Sequence, residues 1–382
     1  MRSSVAAIVV SVILATGFAA TRAYTRTSDP NALTVHEWGT FTTVAGQDGS
    51  AVEWLALGGP SDLPCFVERS GFYLKGAIRG TVRMETPVLY FYAPRETTID
   101  VSVRFRSGVV TEWFPHAKVT QSNAPMSPRS GSTITWKQVK VSPGNAEDFP
   151  VEEGSSHYYT ARETNATPLR AGSQTDKFLF YRGVGSFALP IAATLDGAGR
   201  VSLRTAGSDA VDHVIVFSND RGRIGYEVRS DAGVEVADDA SVDDVAFELQ
   251  KALLAGGLYP EEATAMIHTW RDSWFEDGTR LFYVVPSRII DTVLPLDIDP
   301  PPSDVERVFV ARTELVTPSV EKAVRTALLE NDTASLRKYG RFLDAIGRRA
   351  IANASDGDRT LLETGLQNAH ARMFSARDRC VN

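Results

Sequence analysis

Ile99, Val101, Val103 and Phe105 alternate with Asp100, Ser102, Arg104 and Arg106, and that alternation narrows what this chain can fold into. A two-residue period sets apolar side chains on one face of an extended strand and polar ones on the other, so the segment lies on a core with its second face wet. The unit recurs. Strands are predicted over 34–44, 51–57, 88–92, 109–113, 133–141, 177–182, 186–195, 200–205, 213–218 and 223–229. Gly46-Gln47-Asp48-Gly49, Asp196-Gly197-Ala198-Gly199 and Asn219-Asp220-Arg221-Gly222 supply turns between them. Short strands joined in this way pair antiparallel, so residues 34–236 are expected to form a β-rich domain built as a sandwich or barrel. Residues 120–132 and 142–156, rich in Ser, Pro and Gly, are expected to be long surface loops.

Near residue 240 the period changes to that of a helix. Ser241-Val242-Asp243-Asp244 caps a helix that runs to Ala255, with Val245, Leu249, Leu253 and Leu254 on one face. Gly256-Gly257 stops it, and Pro260-Glu261-Glu262 opens a second helix that carries Ile267 to Trp274. Two strands, 280–285 and 305–316, flank Pro300-Pro301-Pro302, and helices follow over 319–330, 333–353 and 358–375. The expected class is α+β: a large antiparallel β-sandwich-like region followed by a mainly helical C-terminal part, residues 241–382, packed on it. Packing is expected because the indoles of Trp270 and Trp274 need more cover than a lone helix offers.

Arg2 precedes an apolar or small run from Val5 to Ala20, and Thr21-Arg22-Ala23 presents small residues where a signal peptidase cuts. Residues 1–23 therefore read as a signal peptide and the protein as periplasmic or secreted. The run of about 16 residues falls short of the ~20 that span a bilayer, so an uncleaved N-terminal segment is the only membrane contact foreseen. With a net charge of -7 and no basic run, nucleic acid is not an expected partner. Cys65 and Cys380 are too few for a disulfide-rich scaffold or a thiolate metal cluster. In an oxidising compartment they can pair; otherwise one is a buried thiol and the other a free one near the C-terminus.

Two segments concentrate chemically capable side chains. In a strand through Val35-His36-Glu37-Trp38-Gly39-Thr40-Phe41, His36, Trp38 and Thr40 share one face and Glu37 takes the other. The metalloprotease signature needs a histidine four residues after the first, and Thr40 stands there. In the second helix Met266, Trp270 and Trp274 form a core stripe, with His268, Asp272 and Glu276 one stripe over. His36, Glu37, His268, Asp272 and Glu276 are the candidate catalytic group, and a divalent metal is the cofactor such donors would hold. Candidate ligand-binding residues are Trp38, Arg271, Glu85 in Met84-Glu85-Thr86-Pro87, and Trp113 and His116 in Trp113-Phe114-Pro115-His116. His157-Tyr158-Tyr159 and Tyr181-Arg182 add aromatic and hydrogen-bonding surface. Aromatic faces stack on sugar rings, so the expected partner is a glycan or another envelope component. The chain contains no Gly-x-Ser-x-Gly elbow, P-loop, dinucleotide fingerprint or Cys-x-x-Cys pair.

The strings Val-His-Glu-Trp-Gly-Thr-Phe at 35–41 and Thr-Trp-Arg-Asp-Ser-Trp-Phe-Glu-Asp-Gly at 269–278, with Met-Glu-Thr-Pro at 84–87, give the chain a resemblance. It resembles a family of uncharacterised exported bacterial proteins, over most of the mature sequence. The resemblance implies export and a bacterial source, and no activity. Two readings follow: a ligand-binding or structural envelope protein, or a metal-assisted hydrolase with its site between the first strand and the helix at 260–275. The first strand is expected to meet the Trp270 helix, in a shared core of Trp38, Phe41, Trp270 and Trp274.

Overall fold

The computed structural model describes residues 32–58, 62–70, 78–121, 130–144, 148–154, 156–197, 199–207, 209–373 and 380. The expected signal peptide and most of the loop at 120–132 lie outside these residues. In chain order the first strands are β1 Thr34–Ala45, β2 Glu68–Arg69, β3 Val82–Tyr92, β4 Thr97–Phe105, β5 Gly108–Phe114 and β6 Lys118–Gln121. Then come β7 Ser132–Val141, helix α1 His157–Thr160, β8 Leu169–Ala171, β9 Gln174–Asp176, β10 Phe178–Gly185, β11 Ile191–Leu195 and β12 Val201–Thr205. β13 Val214–Asp220, β14 Arg223–Ser230 and β15 Gly233–Ala240 lead to helices α2 Val242–Ala255 and α3 Pro260–Trp274. The chain continues through β16 Gly278–Val284, α4 Ser287–Val293, β17 Leu296–Asp299 and β18 Asp304–Leu315. It closes with α5 Pro318–Leu329, α6 Thr333–Leu336, a 3-10 turn Arg337–Phe342, α7 Leu343–Ala352 and α8 Asp356–Met373.

One ten-stranded sheet organises the molecule, in the order β15-β14-β13-β16-β18-β1-β3-β10-β5-β2. β1 runs parallel to β18 and antiparallel to β3. A second sheet is ordered β17-β4-β7-β8-β9 with β6 on β7, and β11 pairs with β12. The central strands are buried on both faces, and the two-residue period decides which side chain goes where. Val35, Phe41, Leu89, Phe91, Leu179 and Tyr181 share one core with Ile99, Val101, Ile134 and Trp136 of the second sheet. Trp38, Val88, Tyr90, Phe178 and Phe180 turn the other way and meet α2 and α3 through Leu249, Met266, Trp270 and Trp274. Farther along the same strands, Val44, Val184 and Val316 lie under the C-terminal helices with Val324, Leu343 and Leu362.

The fold is mixed, strand-rich and helical mostly towards the C-terminus. The change of period near residue 240 is not a border between packed units, because β16 and β18 sit inside the sheet next to β1 and residues 31–382 form one compact unit. Expected strand 51–57 makes only isolated bridges, Ala45 to Ala51 and Trp54 to Gly80. Expected helix 333–353 is broken at Gly340, whose φ of 46° and ψ of -125° are outside helical space. Leu254 is 41% exposed and leaves the buried face kept by Val245, Leu249 and Leu253. Phe41 does not join Trp270; the strand alternation sends it to the opposite core, where it stacks on Phe309 at 4.8 Å.

Candidate functional site: a charged row across the sheet

β1 and α3 meet at the start of the helix. Pro260 occupies the first helical turn and Glu262 caps it, accepting from Tyr259 N at 2.8 Å. The Glu262 carboxylate also lies 2.7 Å from His36 Nδ1 and accepts from the Tyr92 hydroxyl at 2.9 Å. His36 is 1% exposed, with the Tyr259 ring 4.3 Å away. The arrangement ties strand to helix and gives a substrate no route to the imidazole. Glu37 points to the other core, accepting from Tyr181 Oη and Arg307 Nε, each at 2.6 Å.

The remaining sequence candidates divide. His268 is 53% exposed and 3.6 Å from Glu163. Asp272 lies 2.9 Å from His157 Nε2, and Arg271 donates to Asp243 at 2.6 Å. Helix α3 ends at Trp274, so Glu276 follows the helix instead of extending its stripe, and it accepts from Arg312 at 3.1 Å. His268, Arg271, Asp272 and Glu276 border one shallow groove of about 570 Å³ with His157 and Phe275, while His36 and Glu37 do not reach it. Among the described residues, no three His, Cys, Asp or Glu side chains converge as metal ligands. Trp38 is wholly buried in the core and cannot stack on a ligand. Trp113 is buried too, donating through Nε1 to Glu68 at 2.8 Å, and the exposed His116 lies 2.8 Å from the same carboxylate. Cys65 and Cys380 form a disulfide with Cα atoms 5.1 Å apart.

Where the sheet passes from the α3 core to the C-terminal helical core, its helix-covered face carries a transverse line of charge. Strand register places Glu112 beside Arg182, Glu85 beside Thr40, Thr42 between Arg83 and Arg312, and Glu314 beside Arg280. All are buried. Arginines 280 and 312 collect the carbonyls at the end of α3. Arg280 donates to Trp274 O at 2.8 Å, Glu276 O at 2.6 Å and Asp277 O at 2.8 Å, and Arg312 donates to Ser273 O at 3.0 Å. Cations at the negative end of a helix satisfy orphan acceptors and complement the dipole. Gly278 permits the wrap: its φ is +135°, and a Cβ there would stand 2.6 Å from both Arg280 Nη2 and Glu314 Oε1.

On the other side of β1, Arg341 Nη1 and Thr42 Oγ1 donate to the Glu85 carboxylate at 2.6 and 2.7 Å. Arg182 donates to Asp62 at 3.0 Å and to Thr86 Oγ1 at 3.4 Å. His157 then bridges Asp62 and Asp272. The strands are irregular at this point. Register shifts occur between Trp38 and Thr40 on β1 against β3, and between Phe180 and Gly183 on β10. Thr86 has a φ of 48°, which a β-branched residue rarely adopts. Bulges and positive-φ residues at one place re-aim side chains and are enriched at functional sites.

Electrostatics single out the same residues. Burial disfavours the charge on Asp62, but the Arg182 charge and the His157 hydrogen bond hold its carboxyl well below the usual range. Donating a hydrogen bond to Asp62 raises His157, with Asp272 adding to it. Burial raises Glu276 despite the opposing charges of Arg312 and Arg341. Burial, with Arg280 crowding it, brings Arg312 down to about 10. Several buried donors in and above the row have no hydrogen-bond acceptor among the described residues: Arg182 Nε, Arg312 Nε and Nη1, Arg341 Nη2, Trp270 Nε1 and Trp274 Nε1. Buried polar groups are nearly always partnered, so such a concentration calls for an explanation.

A cavity of about 470 Å³ opens beside the row between the β13–β14 turn and the C-terminal helices, lined by Arg221, Glu276, Glu314, Lys338, Tyr339 and Phe342 among others. Parts of the three strings singled out in the sequence meet along the row: Thr40 beside Glu85, Thr86 against Arg182, and Ser273 to Asp277 against Arg280 and Arg312. Arg83, Arg280 and Arg312 were missed, and Arg182, read with Tyr181 as surface, is buried, although each interrupts an apolar strand: Val82-Arg83-Met84, Tyr181-Arg182-Gly183, Arg280-Leu281-Phe282 and Ala311-Arg312. An arginine inside a strand buried on both faces must be paired there, and that is the signal that would have found them. Comparison with protein families, curated proteins and solved structures finds no match for this chain.

Proposed function

We propose that this is an exported bacterial envelope protein that binds a ligand, a glycan or another envelope component, in the crevice between the β13–β14 turn and the C-terminal helices. The observation that carries the reading is the charged row, whose Glu276 and Glu314 line a cavity large enough for a small ligand and whose buried donors include several with no acceptor among the described residues. Strain at Thr86 and the bulges beside it add support, since a purely structural ion network gains nothing from them. Export is supported by the apolar segment Val5–Ala20, by the resemblance to an exported family, and by the Cys65–Cys380 disulfide, a bond typical of oxidising compartments. In architecture, we read the two sheets that share one core as a sandwich with helices on the outer face of the larger sheet.

A glycan array and a thermal-shift screen of envelope-derived sugars test the binding reading, with Tyr339→Ala as the crevice variant. At least one ligand class is expected to raise the melting temperature of the native protein and not that of the variant. Silence in both screens, or binding indifferent to Tyr339, refutes it. Metal-assisted hydrolysis has less in its favour, because His36 is enclosed with Glu262 and Glu37 lies across the sheet.

A further inference from the structure

We infer that the group recognised in the crevice is an oxoanion, a carboxylate or a phosphate, which binds Arg312 and Arg341 by taking the place of the Glu276 carboxylate. This rests on the ligand-binding reading and adds the chemistry of the ligand and a displaceable internal competitor.

Glu276 differs from the other carboxylates of the row. Glu85 is completely buried and held by Arg341, Arg83 and Thr42. Glu314 is nearly buried and engaged by Arg280 through two nitrogens, at 2.9 and 3.3 Å. Glu276 follows the end of α3, has a side chain 40% exposed, and reaches Arg312 through one hydrogen bond of 3.1 Å. It lines both the 470 Å³ cavity and the 570 Å³ groove, so it can turn into solvent without opening the core. Burial makes its charge costly where it stands, so a carboxylate there is a weak holder of the site.

What Glu276 covers is rich in donors. The Arg312 and Arg341 guanidiniums lie 4.7 and 5.0 Å from the centre of the Phe342 ring, and Phe342 is among the residues lining the cavity. Arg312 reaches the cavity lining through its hydrogen bond to Glu276, and among the described residues its Nε and Nη1 and Arg341 Nη2 have no acceptor. Two guanidiniums with three such N–H-bearing nitrogens match the several lone pairs of an oxoanion better than one singly bonded carboxylate does. Lys338 on the cavity lining adds a cation near the entrance. With Glu276 swung out, Arg312 keeps one carboxylate contact, Glu314 at 3.3 Å, so an entering anion replaces the second.

The test uses the full mature protein and three probes at constant ionic strength and pH 7: inorganic phosphate, galacturonate and galactose. Binding is followed by calorimetry and by tryptophan fluorescence, with thermal unfolding confirming that each variant folds. Phosphate or galacturonate is expected to bind and galactose not, the stronger of the two telling phosphate from carboxylate. Glu276→Gln removes the internal competitor and is expected to tighten anion binding by about tenfold. Arg341→Gln is expected to abolish it, and Lys338→Gln, on the cavity lining, to weaken it. Anion affinity unchanged by Glu276→Gln overturns the inference, as does silence of both anions towards native protein and Glu276→Gln alike. Galactose binding lost in Tyr339→Ala while the anions stay silent also overturns it, and leaves the ligand-binding reading standing.

Discussion

Replacing Arg280 by methionine tests whether the end of α3 is held by the sheet beneath it. Arg280 is wholly buried and makes five hydrogen bonds, two to Glu314 and three to carbonyls at and just beyond the end of α3. Methionine keeps most of the volume, so packing loss is minor and the polar loss dominates. Breaking a buried ion pair from one side costs about 3–5 kcal/mol, because the remaining charge stays buried. Of the three carbonyls, those of Glu276 and Asp277 belong to exposed residues and can recover water, while that of buried Trp274 adds about 1–3 kcal/mol. Arg312 still touches Glu314 at 3.3 Å and offsets part of the sum. The net expectation is a loss of about 4–6 kcal/mol, a large share of the ~5–15 kcal/mol that holds a domain together. Urea unfolding followed by tryptophan fluorescence and circular dichroism measures it. Arg280→Lys keeps the charge but lacks the planar fork, and should cost about half as much. Adding Glu314→Leu to Arg280→Met should recover part of the loss, since it removes the stranded charge. A loss under ~1 kcal/mol in Arg280→Met would show that α3 is anchored by its aromatic face alone and refute the role given to the row.

Three further outcomes are expected. His157 has a raised pKa in the folded state, so its contribution is fully present below its ordinary 6.5 and is lost as pH rises through the higher folded value. Melting temperature should therefore fall from about pH 6.5 upward in the native protein and stay flatter in His157→Asn; equal slopes would contradict the bridge to Asp62 and Asp272. The disulfide closes a loop of 315 residues, for which chain entropy gives an upper figure of about 5–6 kcal/mol. Cys380→Ser should lower the urea midpoint clearly, and an unchanged midpoint would mean that the reduced, unfolded chain gains no freedom. Thr86→Gly relieves a left-handed conformation worth about 1–2 kcal/mol and gives up one long hydrogen bond to Arg182, so it should be neutral or mildly stabilising. A loss above ~1 kcal/mol, ordinary for glycine inside a strand, would show that Thr86 is not strained.

Local features were legible because they depend on neighbours in the chain. The Ser241–Asp244 capping box forms, with Ser241 N donating to Asp244 Oδ2 at 2.8 Å, and Pro260 begins α3. The alternation of β1 sent His36 and Glu37 to opposite faces, and the stripe of Met266, Trp270 and Trp274 is core. The sequence also marked the three strings that line the row. It did not show what they surround. A two-residue or 3.6-residue period tells which face of an element is buried and says nothing of which element lies against it. Arg83, Arg182, Arg280, Arg312 and Arg341 are scattered from one end of the chain to the other, and their partners are set by a strand order in which β18 and β16 join β1 and β3. Register across that sheet, which joins residues up to 270 positions apart, decided which charges stand side by side and which buried donors have no acceptor among the described residues. Burial of charge is governed by the partners that tertiary structure delivers, so the candidate site could be located only once the sheet had been assembled.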